Sequence, residues 1–178
     1  MTGHVSYGIR RAARKYSPCL DINKSYTAWH SIIHLGIGRL ISDRIATGSF
    51  DKTAKIWDTN NGNCVTTLKG HTGEIVCLTF DPHATMLATG SMDTTGKLWD
   101  VETGQELCTF KGHSGEVISL NFSSEGDQIV SGSFDGTAKL WDIRTGQSVN
   151  TLDEHTAEIS NALFDFTADF VATCSLDK

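Results

Sequence analysis

The sequence lacks the features that define several classes of protein. No run of about 18 consecutive apolar residues occurs, so no transmembrane helix and no membrane partner are predicted. The five cysteines are odd in number and form no Cys-x-x-Cys pair, which favours reduced and mostly buried thiols in a cytosolic protein over a disulfide framework or a zinc site. A phosphate-binding glycine loop, a metal-ligand motif and a nucleophile elbow are also missing. An enzyme is therefore the least favoured class, and no cofactor is predicted.

Acidic and basic residues are unevenly distributed along the 178 residues, whose formal net charge is −6. Residues 1–40 hold six lysines and arginines against one acidic residue, whereas residues 41–178 hold nine basic and twenty acidic residues. We interpret residues 1–40 as a basic leader that is poorly ordered or wrongly assembled, with a transit peptide or a nucleic-acid tail as alternatives. His30 and His34 have helical metal spacing, but no acidic residue accompanies them. Nucleic-acid binding is disfavoured because the remainder is acidic.

One set of residues recurs at an interval of 42. The residues in this register are Trp57, Trp99 and Trp141; His71, His113 and His155; Ser49, Ser91, Ser133 and Ser175; and Asp51, Asp93, Asp135 and Asp177. Serine, histidine and aspartate are the residues of a catalytic triad, but an enzyme needs one nucleophile and this set is repeated. The recurrence therefore indicates an architectural element rather than an active site.

Each repeat contains four short runs rich in Val, Ile, Leu, Thr and aromatic residues, as in EIVCLTFDP, MLATGSMD, TTGKLWD and ELCTFKGH. Polar or glycine-containing turns separate these runs, a pattern that predicts β-strands. Apolar and polar residues do not strictly alternate, which is expected where neighbouring sheets cover both faces of a small sheet. The sequence therefore predicts an all-β fold in which each repeat of 42 residues forms one four-stranded propeller blade.

Residues 41–178 resemble the WD-repeat β-propeller family, which places glycine-histidine at one end of the repeat and tryptophan-aspartate at the other. The resemblance implies a buried hydrogen-bonded chain of a histidine, a strand serine or threonine, a turn aspartate and a tryptophan. Two complete sets are expected: His71, Ser91, Asp93 and Trp99, and His113, Ser133, Asp135 and Trp141. Two further sets are partial: Ser49, Asp51 and Trp57 without a histidine in register, and His155, Ser175 and Asp177 without a tryptophan.

At 42 residues per blade, residues 41–178 make about three and a half blades, whereas closed propellers have about four to eight. We therefore expect an open, incomplete arc that belongs to a longer protein, whose further blades would close the ring and cover the strand edges. Because repeat arrays are held by nearest-neighbour contacts, the middle blades should keep their shape.

Propellers of this family act as rigid scaffolds, so the resemblance implies that this chain binds other proteins without chemistry of its own. The family's contact positions follow the repeat histidine by three and five residues and precede the turn aspartate by one. The corresponding residues are Glu74, Glu116 and Glu158; Val76, Ile118 and Ser160; and Phe50, Met92, Phe134 and Leu176. Glutamates beside large apolar side chains favour a basic, amphipathic segment as partner. In the alternative interpretation, the apolar side chains pack between blades and the glutamates are solvated.

A narrower resemblance is to the WD-repeat proteins that act as ciliary dynein assembly factors. It rests on the glutamate and the isoleucine or valine that follow each histidine, in GHTGEIV, GHSGEVI and EHTAEIS, together with TGSFDKT and TGSMDTT. The resemblance implies an adaptor of the cytoplasm and cilium that hands outer-arm axonemal dynein to intraflagellar transport subunits. The chain departs from that group at its leader and at Glu154, which replaces the repeat glycine. A WD-repeat subunit of a ubiquitin-ligase, splicing or signalling complex is the alternative.

Overall fold

Thirteen β-strands and no helix make up the part of the chain that the computed structural model describes, residues 43–177. Blade 1 comprises β1 (Arg44–Gly48), β2 (Thr53–Asp58) and β3 (Cys64–Lys69). Blade 2 comprises β4 (Ile75–Phe80), β5 (Met86–Ser91), β6 (Gly96–Asp100) and β7 (Glu106–Phe110). Blade 3 comprises β8 (Val117–Phe122), β9 (Gln128–Ser133), β10 (Ala138–Asp142) and β11 (Ser148–Leu152). Blade 4 comprises β12 (Ile159–Phe164) and β13 (Val171–Ser175).

Each blade is an antiparallel sheet in which consecutive strands pair in chain order. Blades 2 and 3 have four strands, whereas blade 1 has three and blade 4 has two among the described residues. The first strands β4, β8 and β12 lie side by side and β1 lies against β4, so the blades form an open row. These observations confirm the all-β class, the four-stranded blade and the open arrangement. The predicted leader over residues 1–40, which includes Cys19, His30 and His34, lies outside the described residues.

The apolar core lies between neighbouring blades. On one face of β6, Trp99 belongs to the buried cluster that contains Ile56 of blade 1. On the other face, Leu98 belongs to the cluster that contains Val117 of blade 3. Both faces of a middle sheet are therefore buried, and this double burial explains why apolar and polar residues do not strictly alternate. None of the described residues forms a helix suited in length and hydropathy to crossing a bilayer.

A glycine in the second strand of a blade permits the next blade to approach closely. A Cβ atom at Gly90 would lie 2.9 Å from Val117 Cγ1 of blade 3. At the equivalent position of blade 3, a Cβ atom at Gly132 would lie 2.6 Å from Ile159 Cγ2 of blade 4. Both distances are shorter than a carbon–carbon contact allows, so the spacing of the blades depends on these glycines.

A chain of hydrogen bonds runs through blade 2 from a tryptophan to a turn aspartate. Trp99 Nε1–H donates to Thr89 Oγ1 over 2.8 Å, and Thr89 Oγ1 lies 2.9 Å from His71 Nε2. His71 Nδ1 lies 2.8 Å from Asp93 Oδ2. A carboxylate only accepts, so the Nδ1–H donates to Asp93; in the neutral imidazole Nε2 is then unprotonated and accepts from the Thr89 hydroxyl. This order of donors and acceptors belongs to the neutral imidazole, the form that burial of His71 favours.

The same connections recur in the other blades. In blade 3, Trp141 donates to Ser131 over 2.8 Å, Ser131 lies 2.7 Å from His113 Nε2, and His113 Nδ1 lies 2.8 Å from Asp135. Blade 4 holds the histidine half of the chain, in which His155 lies 2.9 Å from both Thr173 and Asp177. Blade 1 holds the tryptophan half, in which Trp57 donates to Thr47 over 2.9 Å.

The hydroxyl group of the hydrogen-bonded network comes from a different residue than the sequence predicted. The predicted Ser91 and Ser133 are replaced in this role by Thr89 and Ser131, each two residues earlier and on the same face of its strand. Ser91 lies where β5 enters the turn, and its Oγ accepts the N–H of Asp93 over 3.1 Å. The corresponding serines in the other blades make the same turn bond: Ser49 to Asp51, Ser133 to Asp135 and Ser175 to Asp177.

The pKa values of the histidine and of the aspartate are both lowered. This disfavours the charged form of the histidine and favours the charged form of the aspartate. Burial lowers the pKa of His71 and of His113 below the usual 6.5, even though a carboxylate faces each ring. Burial alone would raise the pKa of Asp93, but hydrogen bonds from Thr95, from the Thr72 N–H and from His71 lower it well below its usual 3.8. The folded protein thus favours neutral imidazole beside ionised carboxylate.

Replacing Thr89 should destabilise the protein more than replacing the predicted Ser91. Thr89→Val keeps the shape but leaves the buried Trp99 N–H and His71 Nε2 without their partner, at a cost of about 1–3 kcal/mol for each such group. Ser91→Ala removes one bond to a turn N–H and should cost about 0.5–1.5 kcal/mol. Urea unfolding followed by tryptophan fluorescence compares the two variants. A larger loss in Ser91→Ala would contradict the assignment of the hydroxyl.

The free energy of unfolding should fall when the pH drops below about 6.5. The unfolded chain then binds protons at His71 and His113, whose folded pKa values are lower, so protonation favours the unfolded state. A second decrease should begin below about pH 3.8, because Asp93 and Asp135 resist protonation when folded. Urea midpoints between about pH 8 and pH 3 measure both steps, with His83→Gln, which changes an exposed histidine outside the network, as the control. A midpoint that stays constant from pH 7 to pH 5 would contradict the neutral imidazoles.

Candidate functional site on the turn face

The repeated serine, histidine and aspartate do not form a nucleophilic site. Ser91 is fully buried, and its hydroxyl oxygen accepts from the Asp93 backbone. His71 Nε2, the atom that would serve as a base, is already occupied by Thr89. Both side chains are thus committed to the turn and the strand, and neither is presented to a substrate. No group of three or more His, Cys, Asp and Glu side chains suited to a metal ion occurs within residues 43–177.

The cysteines are less buried than the sequence predicted. Cys77 is buried and Cys108 half-buried, and burial raises the pKa of these thiols to about 12 and about 11. Cys64 and Cys174 are exposed, so the prediction of mostly buried thiols is wrong for two of the four described cysteines. Cys64 begins the outer edge strand β3, and Cys174 lies on β13, part of the two-stranded blade 4. All four are free cysteines.

The loop after each histidine meets the turn before each aspartate at one end of the blade. The N–H of Met92 donates to the carbonyl of Glu74 over 2.9 Å. The N–H of Phe134 donates to Glu116 over 3.0 Å, and that of Leu176 donates to Glu158 over 3.1 Å. Each predicted glutamate therefore lies beside the predicted apolar residue of its own blade. We call this surface the turn face, and its members are Phe50, Glu74, Met92, Glu116, Phe134, Glu158 and Leu176.

The large apolar side chains of the turn face are exposed to solvent. The exposed fraction is 48% for Phe50, 43% for Met92, 47% for Phe134 and 65% for Leu176. Each side chain is thus partly packed against the protein and partly open to solvent. Exposed apolar side chains of this size, repeated at every turn, are typical of a protein-binding surface. Partner binding by these residues remains a prediction.

Two kinds of carboxylate lie at this end of the blades: the turn aspartates beneath the turn face and the glutamates on it. The turn aspartates are saturated: Asp135 accepts from His113, the Ser114 N–H and Thr137. By contrast, none of the three glutamates forms an ion pair with another described residue. Glu74 and Glu116 are half-buried, and Glu158 is exposed. The glutamates therefore carry the negative charge that a partner would meet.

The remaining predicted contact residues lie within strands rather than in loops. Val76 and Ile118 follow the buried first residues of β4 and β8 and are half-buried. Ser160 on β12 is exposed, and its hydroxyl donates to the carbonyl of Cys174 over 3.1 Å. These side chains border the turn face but expose less apolar surface than the turn residues.

Sequence reasoning missed a cleft between blades 3 and 4. One wall is the turn Phe134–Gly136 and the other is the loop His155–Glu158. The signal was present in the sequence, because Gly136 takes the turn position that Lys52 and Thr94 occupy in blades 1 and 2. All three residues have positive φ, at 82°, 70° and 69° respectively, and only Gly136 leaves the space beside the next loop unfilled by a side chain.

Comparison with known proteins identifies the repeats. The sequence profile of the family described as WD domain, G-beta repeat matches residues 38–58, 62–100, 104–142 and 146–178. Ribosome assembly protein 4 of Chaetomium thermophilum is 50% identical over 46 residues, which cover 26% of this chain and 9% of that protein. Nuclear distribution protein PAC1 of Mycosarcoma maydis is 46% identical over 43 residues, 24% of this chain and 10% of that protein. Coatomer subunit beta'-1 of Arabidopsis thaliana is 47% identical over 38 residues, 21% of this chain and 4% of that protein.

These relatives share about one repeat with this chain, and the matched segments span a tenth or less of their length. Their names refer to different processes, so they indicate the repeat and not a particular partner. The four profile matches, by contrast, cover most of the sequence, and the matches 62–100 and 104–142 each span the last strand of one blade and the first three strands of the next. The chain therefore belongs to the WD40 family of WD-domain, G-beta repeat proteins.

Proposed function

We propose that this chain is a non-catalytic scaffold that binds another protein on its turn face. The observation that carries the proposal is the row of exposed Phe50, Met92, Phe134 and Leu176, one from each blade. Each of these apolar side chains leaves more than two fifths of its surface available to a partner. Their burial against a partner would supply binding energy at about 25 cal/mol per Å² of apolar surface.

The network beneath the turn face suits it to recognition. Asp93 holds both the loop after the histidine, through the Thr72 N–H, and the turn, through the Thr95 N–H. The same carboxylate accepts from His71, whose ring is anchored to β5. Loop and turn are thus held to one rigid strand, so little conformational entropy is lost when a partner docks.

Charge on the turn face favours a basic, amphipathic partner segment. Glu74, Glu116 and Glu158 recur beside the apolar row, and residues 41–178 hold twenty acidic against nine basic residues. A segment with apolar side chains for the row and basic side chains for the glutamates would satisfy both features. The acidic field would also accelerate association with such a segment at low ionic strength.

The narrower role that we propose is that of an adaptor, in cytoplasm and cilium, that passes outer-arm axonemal dynein to intraflagellar transport subunits. The glutamate and apolar residue after each histidine support it, since they resemble the repeats of dynein assembly factors. The second candidate is a WD-repeat subunit of another complex, such as a ubiquitin-ligase, splicing or signalling complex. The varied names of the relatives favour this broader possibility.

Two substitutions on the turn face should weaken partner capture without unfolding the protein. Phe134→Ala removes an exposed aromatic contact, and Glu116→Lys reverses a charge, so each should reduce affinity by about tenfold. The measurement is a pull-down of the partner with the tagged protein, quantified against wild type. Val149→Ala and Glu125→Lys change exposed residues away from the turn face and serve as matched controls. Unchanged capture by both turn-face variants, with unfolding midpoints intact, would show that the turn face is not the docking surface.

Affinity purification from ciliated cells distinguishes the two candidate roles. Mass spectrometry of proteins that co-purify with the tagged chain should recover outer-arm dynein chains or intraflagellar transport subunits if the adaptor role is right. In the same experiment, the Glu116→Lys variant should recover less of these proteins than wild type, because binding to the turn face depends on the negative charge of Glu116. Recovery of ligase or spliceosome subunits instead would leave the scaffold in place and contradict the dynein role.

A further inference from the structure

We infer that the cleft between blades 3 and 4 accepts an arginine side chain of the docked partner segment. This inference rests on the proposed scaffold function and assigns the chemistry of one of its contacts. The walls of the cleft are the turn Phe134–Gly136 and the loop His155–Glu158. They combine backbone carbonyls and an exposed carboxylate, which match the N–H donors of a guanidinium group.

Gly136 opens the cleft toward the backbone of the neighbouring loop. A Cβ atom at Gly136 would lie 3.2 Å from the carbonyl oxygen of Ala157 and 3.5 Å from that of His155. Two acceptors therefore face the position that a side chain would otherwise occupy. The Ala157 oxygen already accepts from Ser175 Oγ over 3.0 Å, and a carbonyl oxygen has a second lone pair for another donor.

Negative charge in the cleft comes from Glu158. Its side chain is exposed and makes no ion pair with another described residue. Asp135 also lines the cleft, but its carboxylate is taken up by His113, the Ser114 N–H and Thr137. Glu158 is therefore the carboxylate that a cation in the cleft would pair with, and the fork of a guanidinium suits a carboxylate better than an ammonium does.

The surface that lines the cleft is mainly polar, which suits the N–H donors of a guanidinium group. The equivalent turns differ in their side chains at the critical position. Blade 1 carries the cation of Lys52 there, and blade 2 carries Thr94, so the cleft chemistry is particular to the turn of blade 3 among these three turns.

Short peptide probes test the inference with the whole chain. The probes are the blocked peptides Leu-Arg-Leu, Leu-Lys-Leu and Leu-norleucine-Leu, titrated into ¹⁵N-labelled protein while backbone amide shifts are followed. The arginine peptide should shift the amides of Gly136, Ala157 and Glu158 saturably, and the lysine peptide should bind several-fold more weakly. Glu158→Gln should weaken the arginine peptide about two- to fivefold. Gly136→Thr should abolish its binding, because the side chain found at Thr94 would fill the cleft.

Glu125→Gln is the matched control, since it removes an exposed carboxylate away from the turn face and should leave arginine-peptide binding unchanged. Equal binding of the three peptides, no shift at the cleft, or no effect of Glu158→Gln would overturn the inference. The scaffold function is judged separately by partner capture. If Glu116→Lys loses the partner while Glu158→Gln and Gly136→Thr retain it, the scaffold stands and the arginine cleft is wrong.

Discussion

The structure depends on a buried hydroxyl group that joins two aromatic rings. Thr89 in blade 2 accepts from the indole of Trp99 and donates to the imidazole of His71. A buried indole N–H without a partner would cost about 1–3 kcal/mol, and the same holds for the imidazole nitrogen. One hydroxyl satisfies both, provided that the imidazole is neutral. Blade 3 repeats the arrangement with Ser131, so the same constraint acts at least twice along the chain.

This network links the core of a blade to its surface. Trp99 packs into the apolar cluster shared with blade 1, whereas Asp93 at the other end of the network holds the loop and turn that carry the turn face. Close packing at Gly90 and Gly132 fixes the distance from one blade to the next. The exposed apolar side chains are therefore presented at regular intervals on a rigid support. Such a support is suited to binding a partner, and its repeated serines and histidines are engaged within the network.

Most of the fold could be predicted from the repeat interval, because residues 42 apart must occupy equivalent positions once one blade is recognised. The choice between Thr89 and Ser91 was wrong, since two hydroxyls two residues apart share a strand face and only geometry shows which one reaches the imidazole. The 42-residue register predicted that each turn apolar residue recurs together with a glutamate. It did not predict how far Phe134 is exposed to solvent. The cleft beside Gly136 is formed where blade 4 packs against blade 3. The sequence of a single repeat does not determine this packing.

The repeated histidines act as neutral structural links, with the proton on Nδ1. Long-range ¹H–¹⁵N NMR correlation of the imidazole nitrogens at about pH 7 reads the tautomer directly. The account predicts that His71 and His113 each show a protonated Nδ1 and an unprotonated Nε2, and that the indole N–H groups of Trp99 and Trp141 exchange slowly with solvent. Doubly protonated rings, or the opposite tautomer, would contradict the direction of the hydrogen-bonded chain and the structural role assigned to it.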